Sequence, residues 1–127
     1  FKLAKHSGYN THYITTQKNA GGLTYSFSLS DVDTWMDDAH LTEFEGQFDN
    51  RLLLALDKLQ LDYQQPQFIT LHMRSTHAPY VDNYPADEAV YPVEKNDYQS
   101  YMRNSYDNSV HYTEKQIADI YQFFESQ

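Results

Sequence analysis

A chain of 127 residues with 40% hydrophobic content suits one small domain or a part of a larger one. A net charge of −9, with no cluster of Lys and Arg, argues against nucleic acid and against an anionic membrane surface as partners. The absence of cysteine removes disulfides, thiol nucleophiles and thiolate zinc sites together, and leaves the redox compartment open.

In chain order, "FKLAKHSGYN" predicts the last turns of a helix stopped at Gly8. "THYITTQ" has the β-branched and aromatic bias of a strand, expected from Tyr13 to Thr16. "KNAGGLTYSFSLSD" predicts a loop turning at Gly21 and Gly22. "SDVDTWMDDAHLTEFEG" is acidic and irregular, with room for one helical turn. Phe48, Leu52, Ala55, Leu56 and Leu59 then recur at three- and four-residue spacing, which predicts a helix over 47–60. Pro66 marks a break, and "FITLHM" predicts a strand from Gln67 to Met73, apolar enough for the interior of a sheet covered on both faces. A turn-rich stretch with Pro79, Pro85 and Pro92 leads to a long helix over 97–125. Met102, Tyr106, Val110, Thr113, Ile117, Ile120 and Phe124 draw its apolar stripe.

The alternation of helix and strand predicts a parallel sheet with helices packed on it. Two strands are few for a complete α/β domain, and the first residue is Phe1 rather than methionine, so the expectation is a segment of a longer chain. No run of 18 apolar residues is present to span a bilayer. The 12 tyrosines suit half-buried edges with a polar tip, or contact with sugars or lipid headgroups.

In open parallel sheets, ligands sit beyond the carboxyl ends of the strands. The two ends here are "TTQK" (Thr15 to Lys18) and "RSTHAPY" (Arg74 to Tyr80). Together they supply hydroxyls, an amide, an ammonium, a guanidinium and an imidazole, a set suited to a phosphate or sulfate ester. His77 can donate to a phosphoryl oxygen, relay a proton near neutral pH, or ligate zinc; it can equally be bonded into its own turn. Lys18 can hold a phosphate or simply be solvated, and Arg74 can hold an anion or a surface carboxylate. His72 alternates with Leu71 and Met73 and reads as a hydrogen-bonded sheet histidine. Asp107 and His111 stand four residues apart on the last helix and can pair. "DVDTWMDD" lacks the glycine and the closing glutamate of a calcium loop. There is no GxSxG, P-loop, GxGxxG or HExxH motif.

"PQFITLHMRSTHAPYVDNYP" followed by "NSYDNSVHYTEKQIADIYQFF" resembles the middle of the sulfatase-like catalytic domain of lipid A and lipooligosaccharide phosphoethanolamine transferases. "GYNTHYITTQ" is similar to an earlier strand of that family, with Tyr13 at its usual tryptophan position, and "FDNRLLLALDKLQLD" is similar to the helix before the His-bearing strand. The resemblance implies an α/β fold, as a fragment of an alkaline-phosphatase-like three-layer α/β/α sandwich with a mostly parallel sheet. It makes residues 1–127 a partial, central segment of the catalytic domain. It implies transfer of phosphoethanolamine from a phospholipid to lipopolysaccharide, with zinc and a threonine nucleophile, at the periplasmic face of a bacterial inner membrane. His77 then matches a histidine that contacts the transferred phosphoryl group or a second zinc, and Lys18 lies near a phosphate-contacting lysine.

The resemblance places the nucleophile and first zinc-ligating glutamate before Phe1, and a zinc-binding "DHG" and a further histidine after Gln127. The parent's membrane anchor also lies outside the segment. The segment alone is therefore expected to be inert, to bind no zinc tightly, and to associate through exposed sheet edges and helix faces. Arg74 departs from the family, standing where glycine is common. A sulfatase or phosphodiesterase of the same superfamily, and a non-catalytic α/β binding module, are the alternatives.

Overall fold

The computed structural model describes residues 1–17 and 29–127. Lys18 and the loop expected around Gly21 and Gly22 lie outside the described residues. Helix α1 spans Lys2–His6 and strand β1 spans Asn10–Thr15. Strand β2 is Thr34–Met36, helix α2 Asn50–Leu59, strand β3 Gln67–His72 and helix α3 Tyr98–Glu125. Short 3₁₀ turns occur at Leu29–Asp31, His40–Glu43, Tyr80–Asp82 and Ala86–Glu88.

The strands form a parallel sheet in the order β2-β1-β3, as the alternating pattern required. Two expectations are corrected. The acidic stretch contains a strand, Thr34–Met36, pairing with His12 to Ile14. Three residues flanked by Asp33, Asp37 and Asp38 show too little alternation to announce themselves. And β1, not β3, is the inner strand among the described residues. Residues 11–15 are buried, whereas β3 is half-exposed at the sheet edge, with Phe68 39% exposed.

The pleat divides the sheet's two faces. Ile14 faces α2 and joins Leu41, Leu52, Ala55 and Leu56 in the core, with Ile69, Leu71 and Met73 packed against it. The helical spacing read from Leu52 to Leu59 thus marks the helix's inner face. On the opposite face, Tyr13 stacks on Trp35 at 4.6 Å, and Phe1 meets Tyr13 and Phe68 edge-on. Gly8, at φ +84°, turns the chain from α1 into β1, and Gly46, at φ +95°, turns it toward α2. A Cβ at Gly46 would approach the end of the Asn50 side chain at 3.0 Å, but it is the positive φ that favours glycine there.

Helix α3 is capped by Asp97, whose carboxylate accepts from the backbone N–H groups of Gln99 and Ser100. Its buried face is not the expected apolar stripe. Ser105, Asn108, Ser109, Tyr112 and Gln116 are buried, while Tyr106, Ile117 and Phe124 are exposed. The partner at this level is the loop of residues 80–91, which needs small and hydrogen-bonding side chains for close approach. Asn108 supplies them: its Oδ1 accepts from the N–H groups of Val90 and Tyr91 at 2.9 and 2.8 Å, and its Nδ2 donates to Tyr91 O at 2.9 Å. Ile120 and Phe123, further along the helix, pack against the hydrophobic core cluster.

Three carboxylates of the acidic segment meet basic side chains. Asp33 pairs with Lys5 at 2.6 Å, Asp37 with His40 at 2.7 Å and Asp38 with the buried Arg51 at 2.7 Å. Asp107 and His111 form no ion pair; they line a surface cavity with Val90 and Glu114.

Candidate functional site

Parallel pairing of β1 with β3 brings their carboxyl ends side by side, with Thr15 opposite His72 as the last paired residues. The two loops expected to share an edge therefore leave the sheet as neighbours. The junction is stitched beyond the last pair: Thr16 N–H donates to His72 O at 3.2 Å, and the Gln17 side-chain amide donates to Met73 O at 3.0 Å.

Beneath the junction lies Asp49, 1% exposed, at the start of α2. Its carboxylate accepts the Thr16 hydroxyl from the β1 loop and the Ser75 hydroxyl from the β3 loop. It also accepts the backbone N–H of Arg74 at 3.0 and 3.1 Å and that of Ser75 at 2.8 Å. Sequence reasoning missed Asp49, and it read the Thr16 and Ser75 hydroxyls as part of an anion-binding set, whereas both donate to this carboxylate. The signal available was an Asp at a helix start, which ordinarily indicates an N-cap. Here that side chain makes no capping bond to its own helix and reaches across to two loops instead.

The β3 loop then turns. His77 N–H donates to Arg74 O at 2.8 Å, and the Asn83 side-chain amide donates to His77 O and, at 3.2 Å, to Pro79 O. The Ala78–Pro79 peptide is cis. The His77 ring is exposed just past the strand end, not sunk among apolar side chains. Its Nδ1 lies 2.9 Å from Ala78 O. A carbonyl oxygen only accepts, so Nδ1 carries the hydrogen, and Nε2 is the ring nitrogen left for a ligand or a proton. His77 is thus both bonded into its turn and available at Nε2, the atom that would accept a proton or meet a metal.

His72 behaves as the strand pattern suggested. Its Nδ1 is 2.9 Å from the Tyr13 hydroxyl and 3.2 Å from the Thr15 hydroxyl. Burial lowers its pKa from the ordinary 6.5, partly opposed by Asp49, while the charge of nearby His77 lowers it further. His72 is therefore a neutral spacer beneath the rim at neutral pH.

Arg74 lines a polar cavity of about 640 Å³ with Gln47, Asp82 and Asp87. Its guanidinium has no ion-pair partner among the described residues, unlike the Lys5 ammonium and the Arg51 guanidinium. An apolar cavity of about 450 Å³ adjoins it, sharing Val81, Tyr84 and Ala86 and continuing along Val90 to Val93. The surface beside the rim passes from charged to apolar within one loop.

The zinc implied by the resemblance needs three or four ligands. His77 offers one. No group of three or more His, Asp or Glu side chains able to hold a metal occurs among the described residues. These residues alone do not fit a zinc centre, and no step is derived through one. No helix among the described residues is long and apolar enough to cross a membrane.

Comparison with known proteins agrees with this architecture. The protein described as "Putative transferase YhbX" of Escherichia coli strain K12 is 27% identical over 124 residues, covering 94% of this chain and 20% of that protein. The same-named protein of Escherichia coli O157:H7 matches equally. The chain therefore spans a fifth of the length of these curated relatives. Among solved structures, the lipoteichoic acid synthase LtaP of Listeria monocytogenes superposes with a TM-score of 0.73 at 21% identity, over 98% of this chain and 32% of that one. A Vibrio parahaemolyticus protein of the alkaline phosphatase superfamily gives 0.55 at 20% identity, over 93% of this chain and 31% of that one. Both share the mixed α/β fold with a parallel sheet. The family described as Sulfatase matches residues 1–127 throughout. With its parallel sheet and its polar loops gathered at the strand ends, the chain belongs to the sulfatase family.

Proposed function

We propose that the chain is the central segment of a metal-dependent phosphoethanolamine transferase acting on lipid A or core lipopolysaccharide, at the periplasmic face of a bacterial inner membrane. The observation that carries the proposal is the rim where β1 and β3 end. There His77, fixed through Nδ1–H, leaves Nε2 for a ligand or a proton, on a loop held against its neighbour. An Nε2 so placed can accept a proton from, or in its protonated form donate one to, a tetrahedral oxyanion. Lys18, which follows Gln17 in the sequence, is the proposed second contact. The adjoining polar and apolar cavities suit a substrate with a charged head and an apolar body, as a phospholipid donor has. The transferase in the printed names of the Escherichia coli relatives favours transfer over hydrolysis.

Zinc in this reading is bound in the full-length parent, by His77 together with ligands from outside the segment. The segment alone is inert. Zinc titration calorimetry on the 127-residue chain is expected to show no tight stoichiometric binding; a tight one-to-one isotherm would overturn the incomplete-ligand argument.

The test of function uses the full-length parent and phosphatidylethanolamine labelled in its headgroup. His77→Ala is expected to lower transfer by roughly 10²-fold or more, the usual scale for a proton-relaying side chain. Unchanged transfer removes His77 from the site. Label released to water rather than to lipopolysaccharide would favour the hydrolase reading that the family's name suggests. A parent lacking both the upstream threonine and the downstream DHG would favour a binding module.

A further inference from the structure

We propose that Asp49 is a positioning residue for the oxyanion rim. Its carboxylate locks the β1 and β3 loops together, so that the His77 ring keeps one tautomer and one place. This rests on the reading of the rim given above, but its structural core is independent of any ligand.

A buried carboxylate is costly unless it is paired or fully hydrogen-bonded. None of the five ion pairs among the described residues involves Asp49. It is satisfied entirely by neutral donors: the hydroxyls of Thr16 and Ser75 and the backbone N–H groups of Arg74 and Ser75. A residue needed only to start α2 would cap that helix, as Asp97 caps α3. Asp49 forgoes that bond and takes donors from two loops far apart in sequence.

The consequence for His77 follows from the turn. Arg74, whose N–H Asp49 accepts, receives the His77 N–H on its carbonyl. From the other side Asn83 holds His77 O. The turn is thus pinned before and after His77, and the pin before it also holds Thr16, two residues ahead of Lys18. Asparagine at 49 would keep the shape but turn an NH₂ toward groups that are themselves donors. One pin would then open while the helix and core remain.

The test is heteronuclear NMR of the 127-residue chain, with the histidine ring nitrogens observed directly. The native chain is expected to show His77 as the Nδ1–H tautomer. In Asp49→Asn that signal should move toward a mixture of both tautomers. The amide resonances of Thr16, Gln17, Arg74, Ser75 and His77 should shift together, with those of Trp35 and α3 unchanged. Ser75→Ala, which removes one donor and leaves the carboxylate, should give a smaller change of the same kind. If Asp49→Asn fails to fold, Ser75→Ala and Thr16→Val decide. A folded Asp49→Asn, or both milder variants, with an unaltered His77 tautomer would overturn the proposal.

Titration with inorganic phosphate separates this from the function. Binding at His77 should weaken about tenfold in Asp49→Asn, the lower end of the usual loss when an outer partner is removed. If the native chain shows no phosphate response at His77, the oxyanion reading fails, while the tautomer comparison still decides the role of Asp49.

Discussion

Asp33 shows how a single side chain in this protein is tuned by its neighbours. The Lys5 ammonium at 2.6 Å is the largest influence, and the Thr11 N–H and hydroxyl, each at 2.9 Å, add to it. Together they hold the carboxyl at about 2 rather than the ordinary 3.8. A carboxyl with a lowered folded pKa stabilises the fold above its unfolded value, and that contribution is lost as pH falls through the folded one. Stability of the chain is expected to decline between about pH 4 and pH 2, and Asp33→Asn should flatten part of that decline. Urea denaturation at several acidic pH values measures it; an identical slope in the variant would exclude the Lys5–Asp33 contact as a cause. The exposed His77 ring, by contrast, bonds to Ala78 O in its own turn, which is why its replacement should spare the fold and report on chemistry.

Among elements, α3 and the loop over residues 80–91 depend on each other through one amide. Asn108 is fully buried, and both its oxygen and its nitrogen are used, including a bond to the Tyr84 hydroxyl at 3.3 Å. Asn108→Ala leaves the N–H groups of Val90 and Tyr91 and the Tyr91 carbonyl without their partner. The expected loss is about 2–3 kcal/mol, the scale for buried groups left unsatisfied. Hydrogen exchange should show the loop opening while the sheet stays protected. A loss below about 0.5 kcal/mol would mean that water replaces the amide without penalty. Because the two cavities share Val81, Tyr84 and Ala86 in this loop, the same variant should also disturb them. The apolar periodicity of α3 pointed to the wrong face because it counts hydrophobicity, and the loop docks through hydrogen bonds and small side chains. Where an apolar partner does wait, the periodicity and the packing agree at Ile120, but one turn on it is Phe123 that packs and the expected Phe124 that is exposed.

At the scale of the whole molecule, a half-exposed edge strand and exposed Tyr106, Ile117, Tyr121 and Phe124 leave apolar surface uncovered. The 127-residue chain is expected to associate as its concentration rises. Sedimentation should reveal this as a growing mean mass, and a strictly monomeric profile across a hundredfold range would contradict it. That β1, α2, β3 and a parallel sheet form was legible because β-branched runs and three-to-four spacing report local backbone preference and burial, although β1 begins at Asn10 and ends at Thr15 rather than running from Tyr13 to Thr16. The position of His77 after a strand was legible for the same reason. The short strand Thr34–Met36, the inner place of β1, the polar docking face of α3 and the junction at Asp49 were not. Each depends on residues distant in sequence: Asp49 meets Thr16 from 33 positions before it and Ser75 from 26 after. By itself the sequence determined that β1, β3, α2 and α3 form, since those follow from neighbours along the chain. Only the tertiary structure decided which carboxylate holds the strand-end loops, since hydrogen bonds between remote segments leave no periodicity to read.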